Sequence, residues 1–261
     1  MNNNSKMNND SKNHLIKSLE KGIRFDGRKL TDYRKVVVET GVSKNAEGSA
    51  RVKFGDTEVV AGVKMMMEKP YPDTPEQGVI MVNAEFLPMA SPEFESGPPG
   101  IDSIELSRVV DRGIRESKAI DLKKLCLKKG EKVWMVSIDI CTINADGNLL
   151  DASALAALAA LQNARFPEYV DDEVNYKKHT DEKLPMDKLP LPVTIHKIGN
   201  FFIVDPSREE EHGVEARLTI TSTEKGIICA LQKGGATLTN DEVAQMLELA
   251  LEKSTELRKY F

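Results

Sequence analysis

The sequence has little of what metal and disulfide chemistry require. Its three cysteines, Cys126, Cys141 and Cys229, form no close pair and no metal-ligand spacing. They read as reduced thiols in a cytoplasmic protein, not as a disulfide framework. The four histidines, His14, His179, His196 and His212, are scattered and include no His-x-x-x-His pair. No zinc site is therefore expected, and nothing implies another metal or a cofactor. No apolar run approaches the roughly 18 residues that a membrane span needs, and no signal peptide is present, so no membrane contact is expected. The Gly-x-x-x-x-Gly-Lys-Ser/Thr loop of nucleotide triphosphatases is missing. Positive charge is not in excess either: 36 Lys and Arg stand against 41 Asp and Glu, a net charge of −5. A general nucleic-acid binder is usually basic, so any such contact must come from a local patch.

What is present suffices for a core. Of 261 residues, 40% are hydrophobic, enough for one large domain or two small ones. Residues 1–9, "MNNNSKMNN", are polar and of low complexity and read as a disordered tail. A short helix is predicted over about 11–21, with Asp10 as N-cap and Gly22 as its stop. Strand patterns begin at Lys35 and include a hairpin around Gly55-Asp56. Two Pro-rich loops follow, "EKPYPDTPEQG" and "SPEFESGPPG", of the kind found at functional sites or interfaces. A helix is predicted over 104–119 with Leu106, Val109, Val110, Ile114 and Ser117 on one face. An apolar strand then leads into "INADGNLLDASALAALAAL", read as strand, turn and helix. Residues 166–190 are polar and acidic and read as a linker. Strands resume with hairpins around Gly199-Asn200 and "TEKG", and a helix starts near Asn240 with Thr239 and Glu242 as a capping box. Strands followed by a helix occur twice, which predicts an α+β fold of two similar units, residues 10–165 and 191–261, each a mixed sheet covered by helices.

Three features carry possible chemistry. Arg108, Arg112 and Arg115, at i, i+4 and i+7, form a stripe opposite the apolar face of their helix. They read either as a solvated face, with Glu105–Arg108 and Asp111–Arg115 pairs, or as a guanidinium track for phosphates. The turn 143–151 has the shape of a phosphate cradle, with Gly147 before a helix N-terminus. However, Asp151 stands where an N-cap would, and Leu149 and Leu150 offer no donor side chain, so a capped helix is the expectation. Asp205 and Glu211 after a strand are either an acid pair or a charged surface turn started by Pro206.

Together, "RFDGR" (24–28), "IELSRVVDRGIRES" (104–117), "NADGNLLDASALAALAAL" (144–161) and "VDPSREEEHG" (204–213) resemble the RNase PH family from about residue 22 onward. The likeness is greatest to the noncatalytic RNase PH-like ring subunits of the archaeal exosome. The resemblance implies an RNase PH-like fold and a part in phosphate-dependent 3′-to-5′ RNA degradation. It also implies a hexameric ring of three heterodimers with a catalytic RNase PH-like subunit, an RNA-binding cap subunit, and single-stranded RNA bound through Arg108, Arg112 and Arg115. Three departures argue against catalysis by this chain. Leu150 stands where active members have a phosphate-binding Arg, Asp111-Arg112 replaces a double Arg, and Glu211 takes the second position of an Asp pair with Asp205. The acid pair is thus degenerate and no catalytic residue is expected. The alternative is a phosphate-dependent 3′-5′ exoribonuclease in its own right, using Asp205 and Glu211.

Overall fold

A computed structural model of the chain describes residues 7–261. Most of the tail read as disordered, residues 1–6, lies outside the described residues. The first helix, α1 (Asn9–Glu20), starts earlier than expected: Asn8, not Asp10, is its N-cap, its side chain accepting the Ser11 N–H at 2.7 Å. This shift puts Asp10 in the first turn, where its charge still favours the helix.

Five strands and a short sixth form the first sheet: β1 (Val36–Thr40), β2 (Gly48–Phe54), β3 (Thr57–Glu68), β4 (Val79–Phe86), β5 (Cys126–Lys128) and β6 (Lys132–Asn144). The order is β1-β2-β3-β6-β4, with β5 beside β6. Only β4 runs parallel to its neighbour, β6, because α2 (Ile101–Glu116) and the loops around it cross over between them. Gly55, at φ +57°, opens the two-residue turn that the sequence predicted between β2 and β3. Helix α2 begins three residues before its predicted start, and Leu106, Val109, Val110 and Ile114 are buried as expected.

α3 (Leu149–Asn163) explains its own composition. It lies between the first sheet and a second one and is buried from Asp151 to Leu161. A helix covered on every side has no polar face, and its alanines let both sheets approach. The second sheet has the order β10-β9-β11-β12, built from β9 (Leu191–Ile198), β10 (Phe201–Val204), β11 (Ala216–Ser222) and β12 (Ile228–Gly235). All its pairings are antiparallel, not mixed as expected. Helix α4 (Arg208–Glu211) follows β10, and α5 (Asn240–Leu257), with the predicted Thr239–Glu242 capping box, packs on β9 and β11. One continuous apolar cluster joins both sheets through α3, so the halves share a core.

The segment read as a linker, 166–190, is mostly a β-hairpin. β7 (Arg165–Val170) pairs antiparallel with β8 (Glu173–Lys183). Asp171 and Asp172 both take positive φ, 52° and 69°, the conformation of a tight primed turn. Phe166 and Tyr169 pack on Trp134 of β6. β8 is largely exposed, so its sequence is polar like a linker's.

Candidate functional site

The charged residues singled out in the sequence lie in two places. The first is the outer face of α2. Arg108 and Arg112 are exposed, and among the described residues neither has a hydrogen bond or ion pair. Glu105, the expected partner of Arg108, faces β11 instead, where Arg217 Nη2 lies 2.6 Å from its carboxylate. Arg115 is tied down: it pairs with Asp111 at 2.7 Å and donates to the Ile80 carbonyl at 3.1 Å. The stripe therefore offers two free guanidinium groups, not three.

The second place is the start of α3, which faces the turn between β10 and α4. Gly147, at φ +84°, has no room for a side chain: a Cβ there would lie 2.3 Å from the Pro206 carbonyl oxygen. The next residue, Asn148, takes the left-handed conformation at φ +53°, which Asn tolerates better than most residues. It ties down both acids of the sequence pair. Its side-chain amide donates to Asp205 Oδ1 at 3.0 Å, and its backbone N–H donates to Glu211 Oε1 at 2.8 Å.

Asp205 has no free lone pair. Its Oδ1 also accepts from Arg34 Nη2 at 2.7 Å. Its Oδ2 accepts from the Arg34 backbone N–H at 2.7 Å, Arg34 Nε at 3.0 Å and Arg28 Nη1 at 3.0 Å. Burial alone would raise its pKa, but the bonds from Arg34 and the charge of Arg28 hold it below the ordinary value. It is fully buried and sits at φ +51°, a conformation that costs an Asp about 1 kcal/mol or more and that its donors fix. Burial pushes Glu211 the other way, up to about 7, against the lowering effect of the Asn148 N–H. The two acids are thus held in different states, and Asp205 cannot take up a proton or a metal ion without losing an arginine.

Asp151 is not the N-cap of α3. The left-handed Asn148 starts the helix at Leu149, which puts Asp151 at its third position, pointing across to β9. There it is fully buried and accepts from Thr194 Oγ1 at 2.7 Å and the Thr194 N–H at 3.1 Å. Burial raises its pKa to about 7, although the Thr194 bonds act against this. The helix donors are therefore not consumed by an Asp151 cap.

The "RFDGR" stretch braces the same turn. Arg24, 1% exposed, forms an ion pair with Glu210 and donates to the carbonyls of Val204 at 2.7 Å and Asp205 at 2.8 Å. Arg34 and Asn148, which hold the acid pair, were missed by sequence reasoning. The available signals were an Asn directly after a turn glycine and an Arg at the mouth of the first strand.

A cavity of about 210 Å³ opens beside this turn. Leu149, Leu150, Asn148, Glu211, His196 and Arg217 border it. His196 is buried, and burial together with Arg217 lowers its pKa to about 3, so the ring is neutral. Among the described residues no group of three or more His, Cys, Asp or Glu is arranged to hold a metal ion.

Comparison with known proteins gives this geometry a lineage. Residues 32–167 match the first domain of the 3′ exoribonuclease family, RNase PH, and residues 188–253 match its second domain. The chain belongs to the RNase PH family. It is 51% identical over 240 residues to the exosome complex component Rrp42 of Methanothermobacter thermautotrophicus, covering 91% of this chain and 89% of that one. It is 48% identical over 251 residues to the Rrp42 of Archaeoglobus fulgidus, covering 96% and 95%. Its fold superposes with a TM-score of 0.89 on a chain of the Archaeoglobus fulgidus exosome with RNA bound to the active site, at 49% identity and with 95% and 96% of the two chains covered. The chain thus has the RNase PH likeness and the α+β fold expected from its sequence. Among the described residues no helix is long and apolar enough to cross a membrane.

Proposed function

We propose that this chain is a noncatalytic ring subunit of an archaeal-type exosome in the cytoplasm. It would alternate with a catalytic RNase PH-like partner in a ring of three heterodimers that carries an RNA-binding cap. The complex shortens single-stranded RNA from the 3′ end with inorganic phosphate and releases nucleoside diphosphates. This chain shapes the partner's site and grips RNA through Arg108 and Arg112, with Arg115 contributing less because Asp111 holds it.

The observation that carries the noncatalytic reading is Asp205. Its carboxylate is buried and spent on Arg28, Arg34 and Asn148, so it is not free to act as an acid, a base or a metal ligand. Leu150, where family resemblance expects a phosphate-binding Arg, agrees with this. The strong likeness to exosome components over nearly the whole chain supports the assembly.

The test is phosphate-dependent RNA shortening by the purified chain, by the catalytic partner and by the two combined. The chain alone should release no nucleoside diphosphate, and the combination should outperform the partner alone. Release by the pure chain that depends on Asp205 would overturn the reading.

A further inference from the structure

Loop 69–78, the first of the two Pro-rich loops, lies outside the candidate site and carries Tyr71. This residue is 59% exposed, more than Tyr176, Tyr260 or Phe25. Lys64 lies over the ring of Tyr176, and His14 stacks on Phe25. Among the described residues no ring stacks on Tyr71, no cation lies over it and its hydroxyl has no hydrogen bond. The backbone beneath the ring is fixed. Pro70, which is buried, precedes it and Pro72 follows it. A residue before proline is confined to extended conformations, and the Tyr71 carbonyl accepts the Thr74 N–H at 3.1 Å. At the end of the loop the Gly78 N–H donates to the Leu122 carbonyl at 2.8 Å. A ring held in solvent on a fixed backbone loses little entropy when a flat group lies on it.

The loop runs into β4, on which α2 packs. Arg115, in the last turn of α2, donates to the carbonyl of Ile80, the second residue of β4, at 3.1 Å. The charge of Tyr71 is among those that act on the Arg115 guanidinium, so the ring stands at this end of the arginine stripe. Arg112 and then Arg108 continue the stripe away from it, Arg108 lying about 10 Å farther along the helix axis than Arg115. Both are exposed and, among the described residues, unpaired. One face of the molecule thus sets an aromatic plane beside a row of cations. Guanidinium groups hold the phosphates of RNA and leave its bases free, and an exposed aromatic face takes a base by stacking. Glu68 and Asp73, exposed on either side of Tyr71 in the chain, repel phosphate but not an uncharged base. The core of a protein–protein interface is depleted in charge, whereas Lys69, Asp73 and Glu76 around Tyr71 are all exposed. This favours RNA over a partner subunit as the occupant.

We propose that Tyr71 is a stacking platform for a base of the single-stranded RNA whose phosphates Arg108 and Arg112 hold. The proposal rests on reading the chain as an RNA-gripping ring subunit, and adds a contact to the base that the arginines do not make. Binding then has two parts with different physics. The arginine part weakens with salt through counterion release. The stacking part does not involve charge, and it tolerates sequence because every base has a π-face.

The experiment uses the ring assembled from the full chain and its catalytic partner, in phosphate-free buffer so that RNA is bound and not shortened. Affinity is measured over a salt series for oligoadenylate and for an abasic ribose-phosphate oligomer of the same length. Tyr71→Ala should weaken oligoadenylate binding about tenfold at every salt concentration and leave the salt slope unchanged. Tyr71→Phe should bind as the wild type does. Tyr71→Leu, apolar but without a flat face, should lose affinity as the Ala variant does, and it provides the answer if that variant does not fold. All three should bind the abasic oligomer as the wild type does. The proposal is overturned if the folded Ala and Leu variants bind oligoadenylate as tightly as the wild type. It is also overturned if their loss comes with a shallower salt slope or extends equally to the abasic oligomer. Failure of these variants to form the ring would overturn it too, and would make Tyr71 a contact to the partner subunit. Arg108→Ala with Arg112→Ala tests the underlying reading separately. An unchanged salt slope for that variant removes the RNA grip itself, whereas a neutral Tyr71→Ala beside a shallower slope for the arginine variant removes only the stack.

Discussion

At the scale of single residues, the site is decided by which carboxylate holds a charge. Asp205 accepts hydrogen bonds on both oxygens from two arginines and Asn148, and breaking such a buried pair leaves an uncompensated charge. Arg34→Ala should therefore cost about 3–5 kcal/mol of stability, read by urea unfolding. Arg34→Lys should recover only part of it, because an ammonium cannot donate as a planar fork. A loss of under about 1 kcal/mol for the Ala variant, the value of an exposed pair, would show that Asp205 is not locked. Glu211 gives an effect of opposite sign. Its pKa rises from 4.5 to about 7 on folding, so between those values the folded state keeps a proton that the unfolded state has lost. Stability from this group is complete below 4.5, falls as pH rises toward 7 and is constant above it. Asp205, held below its ordinary value, pushes the other way at lower pH, and His196, lowered from 6.5 to about 3, does so between those values, while Asp151, raised from 3.8 to about 7, acts in the same direction as Glu211. The measurable quantity is therefore a difference: Glu211→Gln should gain stability relative to wild type as pH rises from 4.5 to about 7. Parallel pH profiles for the two proteins would sink the assignment.

At the scale of elements, helix α2 presents two faces with different tasks. Leu106, Val109, Val110 and Ile114 are buried, while Arg108 and Arg112 stand free in solvent. Changing both to Ala should leave the ring assembled, because neither is part of this subunit's core. It should weaken RNA binding by the assembled complex without altering sequence preference. The slope of log affinity against log salt should become shallower by about 0.7 for each phosphate of single-stranded RNA that the arginines no longer neutralise. Arg115→Ala should change the slope little. An unchanged slope for the double variant, in an intact ring, would make the stripe a solvated helix face. This helix was legible because its apolar residues repeat at the helical period and its arginines fall opposite them. Hairpins at Gly55-Asp56 and Gly199-Asn200 were legible from their turn residues. The β7–β8 hairpin was not, since its turn is Asp171-Asp172 with no glycine and its second strand is mostly exposed and polar. The cap of α3 was misplaced because Asp151 looks like an N-cap, while the actual N-cap depends on a left-handed Asn148. The partners of Asp205 come from residues 28, 34 and 148. Local spacing carries no trace of that convergence, although family resemblance had marked Asp205 and Glu211 themselves.

At the scale of the whole molecule, α3 fastens the two sheets into one body while the first turn of α2 stays uncovered. Ile101 is 82% exposed and Ile104 is 50% exposed, one turn apart on the same helix and next to the Pro-rich loop 87–100. Large apolar side chains this open are ordinary when single, but a pair on a helix end beside a long loop is a candidate interface. Under the proposed function the occupant is the catalytic RNase PH-like partner. Burying both isoleucines would contribute about 1.5–3 kcal/mol each at most, and placing charges there would forfeit this and add a desolvation cost. Ile101→Glu with Ile104→Glu should therefore leave the isolated chain folded with unchanged unfolding behaviour, since neither residue belongs to the buried core. The same variant should fail to form the six-membered ring with the catalytic partner, which light scattering would report as free subunits where the wild type gives one large species. A ring of undiminished stability from the double variant would place the contact elsewhere on the chain and leave this helix end as exposed surface.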